Sequence, residues 1–146
     1  MPDIEKRWDT VNQPTTESLI NDPFGFIRYV RKGVSGTYLR EIVNSFSNHP
    51  EIRALIVVLL ETTSSKLHRF YKRKNLSPAE SERVLDTMAL VACAQKIFGN
   101  NEIALEWLQT PLPALAGEKP LSLCDTFFGR RLVGSVLKSI QYGEFS

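Results

Sequence analysis

The chain has 146 residues, of which 42% are hydrophobic and 23% charged, and its formal net charge is +2. This length suffices for one ordinary domain or two very small ones, and the balance excludes a disordered, fibrous or low-complexity chain. A charge so close to neutral makes no case for nucleic acid by itself, so the distribution of charge along the chain has to carry that argument.

The first 25 residues are polar and carry acids, so they do not read as a signal peptide. The longest apolar run, Ala54 to Leu60, falls far short of the ~20 residues that span a bilayer. Cys93 and Cys124 lack metal-ligand spacing, and only His49 and His68 could join them. No metal and no cofactor is therefore expected, and both thiols read as reduced and mostly buried. These features describe a cytoplasmic protein without membrane contact.

Residues 1–32 hold Pro2, Pro14 and Pro23 and keep no clean period, so an N-terminal arm is expected there. From Ser35, a candidate N-cap, Leu39, Ile42, Val43 and Phe46 recur at helical spacing until Asn48. Pro50 fits the first position of a second helix with Ile52, Leu55, Ile56 and Leu59 on its apolar face. This run is rich in β-branched residues, and a buried strand is the competing reading. Thr62, Thr63, Ser64 and Ser65 then offer N-caps for a third helix beginning near Lys66.

Ser77 to Glu80 is a capping box with Pro78 at the first helical position, and Gly99 supplies the stop. Val84, Met88, Val91, Ala92 and Gln95 line one side of that helix. Asn101 is expected to cap a short helix carrying Ile103, Ala104, Trp107 and Leu108, ended by Pro111. Residues 110–120 read as a loop. A final helix from about Thr126 shows Leu132, Val133, Val136, Leu137 and Ile140 and stops at Gly143. No alternating run survives, and the fold class is all-α.

The nine residues Lys66 to Lys74 contain five lysines and arginines and no acid. A short apolar helix, a break and a capped basic helix form the outline of a helix-turn-helix, whose second helix enters the major groove. Ser64 and Ser65 would take a phosphate at its N-terminus. Lys66, His68 and Arg69 would lie where base edges are read, and Lys72 and Arg73 would neutralise phosphates. The alternative is a solvated charged face. No nucleophile with a base, no paired carboxylates and no phosphate cradle is found, since Gly33 to Gly36 lacks the following Gly and Lys of a phosphate loop. No enzyme is expected.

Three segments stand in order in the second half: Ala104–Pro111 (ALEWLQTP), Pro113–Leu121 (PALAGEKPL) and Thr126–Gly129 (TFFG), followed by Val133, Leu137, Tyr142 and Gly143. Together they resemble the toxin-binding domain of the Xre/MbcA/ParS antitoxins over about residues 80–146. Upstream, Tyr29–Ser35 (YVRKGVS) and Leu76–Arg83 (LSPAESER) resemble the linked Xre-type half. The resemblance implies an N-terminal arm over 1–32, a helix-turn-helix DNA-binding region over 33–76 and a helical toxin-binding domain over 77–146. It further implies a non-enzymatic antitoxin of a type II system whose partner is a RES-domain toxin that consumes NAD or transfers ADP-ribose. In this family the antitoxin blocks the toxin's NAD pocket and represses its own operon, commonly as a homodimer on operator DNA. The departures are a turn without Gly and the bulky Phe127 and Phe128.

Arg130, Tyr142, Gly143, Glu144, Phe145 and Ser146 are the expected toxin contacts. A tail with one aromatic ring, Glu144 and a terminal carboxylate suits a pocket built for a dinucleotide pyrophosphate, and a frayed terminus is the alternative. The competing function is a stand-alone helix-turn-helix regulator whose C-terminal half serves dimerisation.

Overall fold

A computed structural model describes Pro14 and residues 16–143. The described residues are helical and contain no strand, in line with the all-α expectation. They fall into two compact units that divide between Leu85 and Asp86, inside one long helix.

The N-terminal unit begins with α1 (Thr16–Asn21), α2 (Pro23–Lys32), α3 (Gly36–Ser45) and α4 (Pro50–Leu59). The expected arm over 1–32 is thus corrected from Thr16 onward, while the rest of it, Pro14 aside, lies outside the described residues. Pro23 misled the sequence reading because it starts a helix instead of breaking one. It sits at the first turn of α2, where no N–H is needed, and the Asp22 side chain accepts from Gly25 N at 3.0 Å. Tyr29 and Val30 on α2 are buried, and the Tyr29 ring meets that of Tyr38 edge-on at 6.2 Å. The Tyr38 hydroxyl donates to the Pro14 carbonyl at 3.2 Å, tying the start of the described chain to α3.

Ser35 caps α3 by accepting from Tyr38 N, and α4 is helical with Pro50 at its first turn, which settles the strand alternative. After α4 comes a 3-10 turn, Ser64–Lys66, and a single α-helical turn, α5 (His68–Tyr71). The nine-residue basic helix expected from Lys66 is therefore corrected to one short turn of each kind. The reason lies in the chain beyond it. Gly36 N donates to the Arg73 carbonyl at 3.0 Å, and Leu76 N donates to the Val34 carbonyl at 2.7 Å. The Asn75 amide adds a bond to the Lys32 carbonyl at 3.0 Å. These cross-chain bonds claim the groups that a longer helix would have paired internally. Glycine is required for this approach, because a Cβ on Gly36 would lie within 2.6 Å of the Phe70, Tyr71 and Arg73 carbonyl oxygens.

Helix α6 (Pro78–Phe98) opens with the expected capping box: Glu80 N donates to Ser77 Oγ at 3.1 Å, and Ser77 N donates to Glu80 Oε1 at 2.9 Å. Within the N-terminal unit, buried Ser81 accepts from Val34 N at 2.9 Å and Arg83 donates to the Leu59 carbonyl at 2.6 Å.

The C-terminal unit continues α6 and adds α7 (Asn101–Leu108), two 3-10 turns (Pro113–Leu115 and Pro120–Leu123) and α8 (Phe127–Gln141). The cap of α7 is Asn100, not Asn101: its side chain accepts from Ile103 N at 3.0 Å. The Trp107 ring packs on Phe98 at 5.5 Å between centroids. The second 3-10 turn packs against both α7 and α8. Thr126 caps α8 by accepting from Gly129 N at 2.9 Å. A Cβ at Gly129 would sit 2.7 Å from the Leu123 carbonyl carbon and closer still to its oxygen, so that position admits no side chain. Next to it, Arg130 is 6% exposed, and it donates from Nε to Asp86 at 2.6 Å and from Nη1 to the Cys124 carbonyl at 3.0 Å.

Two substitutions test these anchors by chemical denaturation. Gly36→Ala forces a methyl into three carbonyl oxygens and is expected to lower stability by about 1–3 kcal/mol. Asp86→Ala strips the carboxylate from a buried guanidinium; the cost is expected to be about 2 kcal/mol, below the ~3–5 of a fully buried pair because the Asp86 side chain is 38% exposed.

Candidate partner-binding surfaces

The basic segment lies on the surface of the N-terminal unit. Its apolar members Leu67 and Phe70 are buried, Tyr71 is half-buried, and Lys66, His68, Arg69, Lys72, Arg73 and Lys74 are exposed. The sequence-derived list nevertheless needs adjustment. Ser64, expected to hold a phosphate, accepts from the Arg53 guanidinium, which also donates to the Ser64 carbonyl at 3.2 Å. Ser65 is exposed, with its hydroxyl 3.2 Å from that of Thr63.

Arg73 is held from two sides. Its Nη1 bridges both oxygens of Glu80 at 3.0 and 3.3 Å, and its guanidinium lies 4.2 Å from the centre of the Phe70 ring. Burial acts to raise the Glu80 carboxyl, but the hydrogen bonds from Ser77 and the charge of Arg73 hold it below its ordinary value. Arg73 therefore closes the capping box and is less available to a ligand than its neighbours.

Two further cations belong to this region. Burial raises the Tyr71 phenol while the charges of Arg53 and Arg40 act in the opposite direction, and Arg53 is held at the start of the basic segment by its bonds to Ser64. They come from α4 and α3, distant in sequence, so counting charges along one run did not reveal them.

In the C-terminal unit Arg130 is corrected from a toxin contact to a buried anchor, as both of its hydrogen-bonded nitrogens are used within the chain. Burial pushes the neighbouring Cys124 thiol up to about 12, so it stays protonated beside that guanidinium. Cys93 is half-buried, not mostly buried, and free.

Helix α8 turns Val133 and Leu137 inward and leaves the other side open. Phe127, Phe128 and Tyr142 are 64, 63 and 64% exposed, and Leu132, one of the apolar residues that recur along this helix, is 42% exposed. Phe128, Leu132, Ser135, Ser139 and Tyr142 succeed one another along one side of the helix. The Arg131 guanidinium lies 5.9 Å from each of the two Phe ring centres. Tyr142 closes the helix, and Gly143 follows at φ 67°, the left-handed exit expected of it. Glu144, Phe145 and Ser146, also expected to contact a toxin, lie outside the described residues. Among the described residues no group of three or more His, Cys, Asp or Glu is placed to hold a metal ion. None of the described helices is long and apolar enough to cross a membrane.

Comparison with known proteins bears on both units. Residues 93–143, from the second half of α6 through α8, match the antitoxin Xre/MbcA/ParS C-terminal toxin-binding domain. A Prs ADP-ribosylating antitoxin of Sphingobium sp. (strain YBL2) is 29% identical over 133 residues, which cover 85% of this chain and 82% of the relative. Antitoxin Xre of Yersinia enterocolitica is 31% identical over 71 residues, 48% of each chain. Mainly helical in its described residues, the chain carries over 93–143 the toxin-binding domain of this family, and this match together with the two relatives supports an antitoxin of the Xre/MbcA/ParS type.

Proposed function

We propose that this antitoxin neutralises a cognate RES-fold toxin, one that transfers ADP-ribose or consumes NAD, by blocking its active site, and that it represses its own operon as a homodimer. The observation that carries the first half is the toxin-binding domain matched over 93–143. The name of the Sphingobium relative, an ADP-ribosylating antitoxin, supports ADP-ribosylation as the toxin chemistry. In this reading the cytoplasmic antitoxin has no catalytic role; its C-terminal tail, from Tyr142 to Ser146, enters the toxin's NAD pocket. Gly143 turns the chain out of α8, and Glu144, Phe145 and the terminal carboxylate supply charge and an aromatic ring where a dinucleotide would bind.

The second half rests on the exposed cations of the N-terminal unit. A single α-helical turn offers few side chains to a major groove, so phosphate neutralisation by Lys66, Arg69 and Lys72 supplies most of the affinity, with Arg40 and Arg53 alongside. Ser64, Ser65 and His68 stand at the start of the same surface. Paired half-sites read by a dimer provide the sequence selectivity that one turn cannot.

Growth rescue on toxin co-expression tests the first half. Deleting residues 142–146 is expected to abolish protection while leaving DNA binding intact, and full rescue by the truncated chain would sink the plug. Salt titration of operator binding tests the second. Lys72→Ala is expected to flatten the slope of log K against log salt by ~1. Arg73→Ala is expected to change it less, because Arg73 is already paired with Glu80. Equal effects would place Arg73 on the DNA and contradict the pairing.

A further inference from the structure

We infer that the open side of α8, carrying Phe127, Phe128 and Leu132 with Arg131 and Lys138, is a docking face for the toxin that is separate from the tail and positions it. The inference rests on the proposed function for the identity of the partner and adds where the partner is held. Within the matched span 93–143 the exposed large hydrophobic residues are these three, Tyr142 at the helix's end, and Ile103, so the apolar surface of the toxin-binding domain is concentrated on one helix. The fold does not need the two Phe rings where they are. Thr126 supplies the cap, Gly129 the close approach and Arg130 the anchor, and the rings stand outside all three. Solvent-facing aromatics clustered with an arginine are the composition of an interface core, and paired aromatic anchors typically dominate binding.

Charge selects the occupant. The open side of the helix presents Arg131 and Lys138, Arg130 being buried and paired with Asp86, and Phe127–Gln141 holds no acid. A partner that covers the face must bring an apolar recess for the rings and carboxylates around it. A second copy of the same face would set Arg131 and Lys138 against their own kind and leave them desolvated without a counter-charge. The face also has direction. Phe127 to Tyr142 spans about 22 Å at the helical rise of ~1.5 Å per residue, and the chain beyond Gly143 leaves from its far end. A toxin seated on the two Phe rings is therefore held about that far from Gly143, where the tail is attached, which turns tail insertion into an intramolecular step.

The test uses the full-length chain and the toxin encoded beside it, produced with an inactivating substitution, with affinity read by calorimetry. The wild-type chain is expected to bind, and F127A/F128A to bind about 100-fold more weakly. Arg131→Glu is expected to weaken binding about 10-fold, with a smaller dependence on salt. Deletion of 142–146 is expected to lose growth protection yet weaken binding less than F127A/F128A does. Ile103→Ala, exposed in the same domain but on α7, should leave affinity unchanged. Circular dichroism and melting of F127A/F128A should match the wild type, because the rings lie outside the core. Wild-type affinity in F127A/F128A would overturn the docking face and leave the antitoxin reading standing. A wild-type chain that fails to bind this toxin would overturn the partner assignment and the docking face with it. Loss of self-association in F127A/F128A with toxin affinity unchanged would assign the face to a second copy of the chain and overturn the inference.

Discussion

Two backbone hydrogen bonds decide what the N-terminal unit can present: Gly36 N–H to the Arg73 carbonyl and Leu76 N–H to the Val34 carbonyl. They draw the segment 33–36 onto the segment 70–76 so closely that a side chain at Gly36 would collide with three carbonyl oxygens. The basic stretch is consequently held as a brief turn, with Leu67 and Phe70 as its apolar footing and its cations outside. The same clasp delivers Ser77 and Glu80 to the start of α6, where Arg73 completes their arrangement. Fold and surface charge are thus set by one local exchange of donors and acceptors, since a buried backbone group must find a partner somewhere.

The C-terminal unit solves a different problem. Its chain makes two 3-10 turns between α7 and α8, with backbone hydrogen bonds that close local turns, such as Gly117 N–H to the Leu112 carbonyl at 2.9 Å. Arg130 reaches from α8 to the Cys124 carbonyl and the Asp86 carboxylate, joining three stretches of chain at one guanidinium. A planar group with several donors suits that task better than a lysine, whose ammonium cannot bridge two acceptors in fixed directions. An arginine beside a helix start read from sequence alone is easily taken for an anion or partner contact. Only its burial identifies it as internal.

The parts legible in the sequence were those encoded locally. Ser35, the Ser77–Glu80 box, Thr126 and Gly143 each signal a helix end within a few residues, and the structure uses all four so. The segments ALEWLQTP, PALAGEKPL and TFFG, in that order, likewise carry the resemblance in the sequence itself. What failed was non-local. Pro23 looks like a breaker unless the helix it opens is known, and the length of the basic helix depends on Gly36, some thirty residues upstream. Leu132 fits an apolar stripe by spacing, yet α8 turns it outward because Val133 and Leu137 already fill the inward side. Arg53 joins the basic run only through folding, by its bonds to Ser64.

The placing of Phe127 and Phe128 between Thr126 on one side and Gly129 and Arg130 on the other has a consequence for how such a protein changes over generations. The residues that hold α8 in place are fixed by geometry: an oxygen to cap, an absent side chain, a guanidinium with two acceptors. The two positions enclosed by them face solvent and carry no share of that geometry. Replacements there leave folding almost untouched, since exposed side chains contribute little to stability. Mutation can therefore alter this pair at little cost to the fold while the scaffold stays under strict selection, so that duplicated copies in one cell can diverge in surface chemistry without first passing through unstable intermediates.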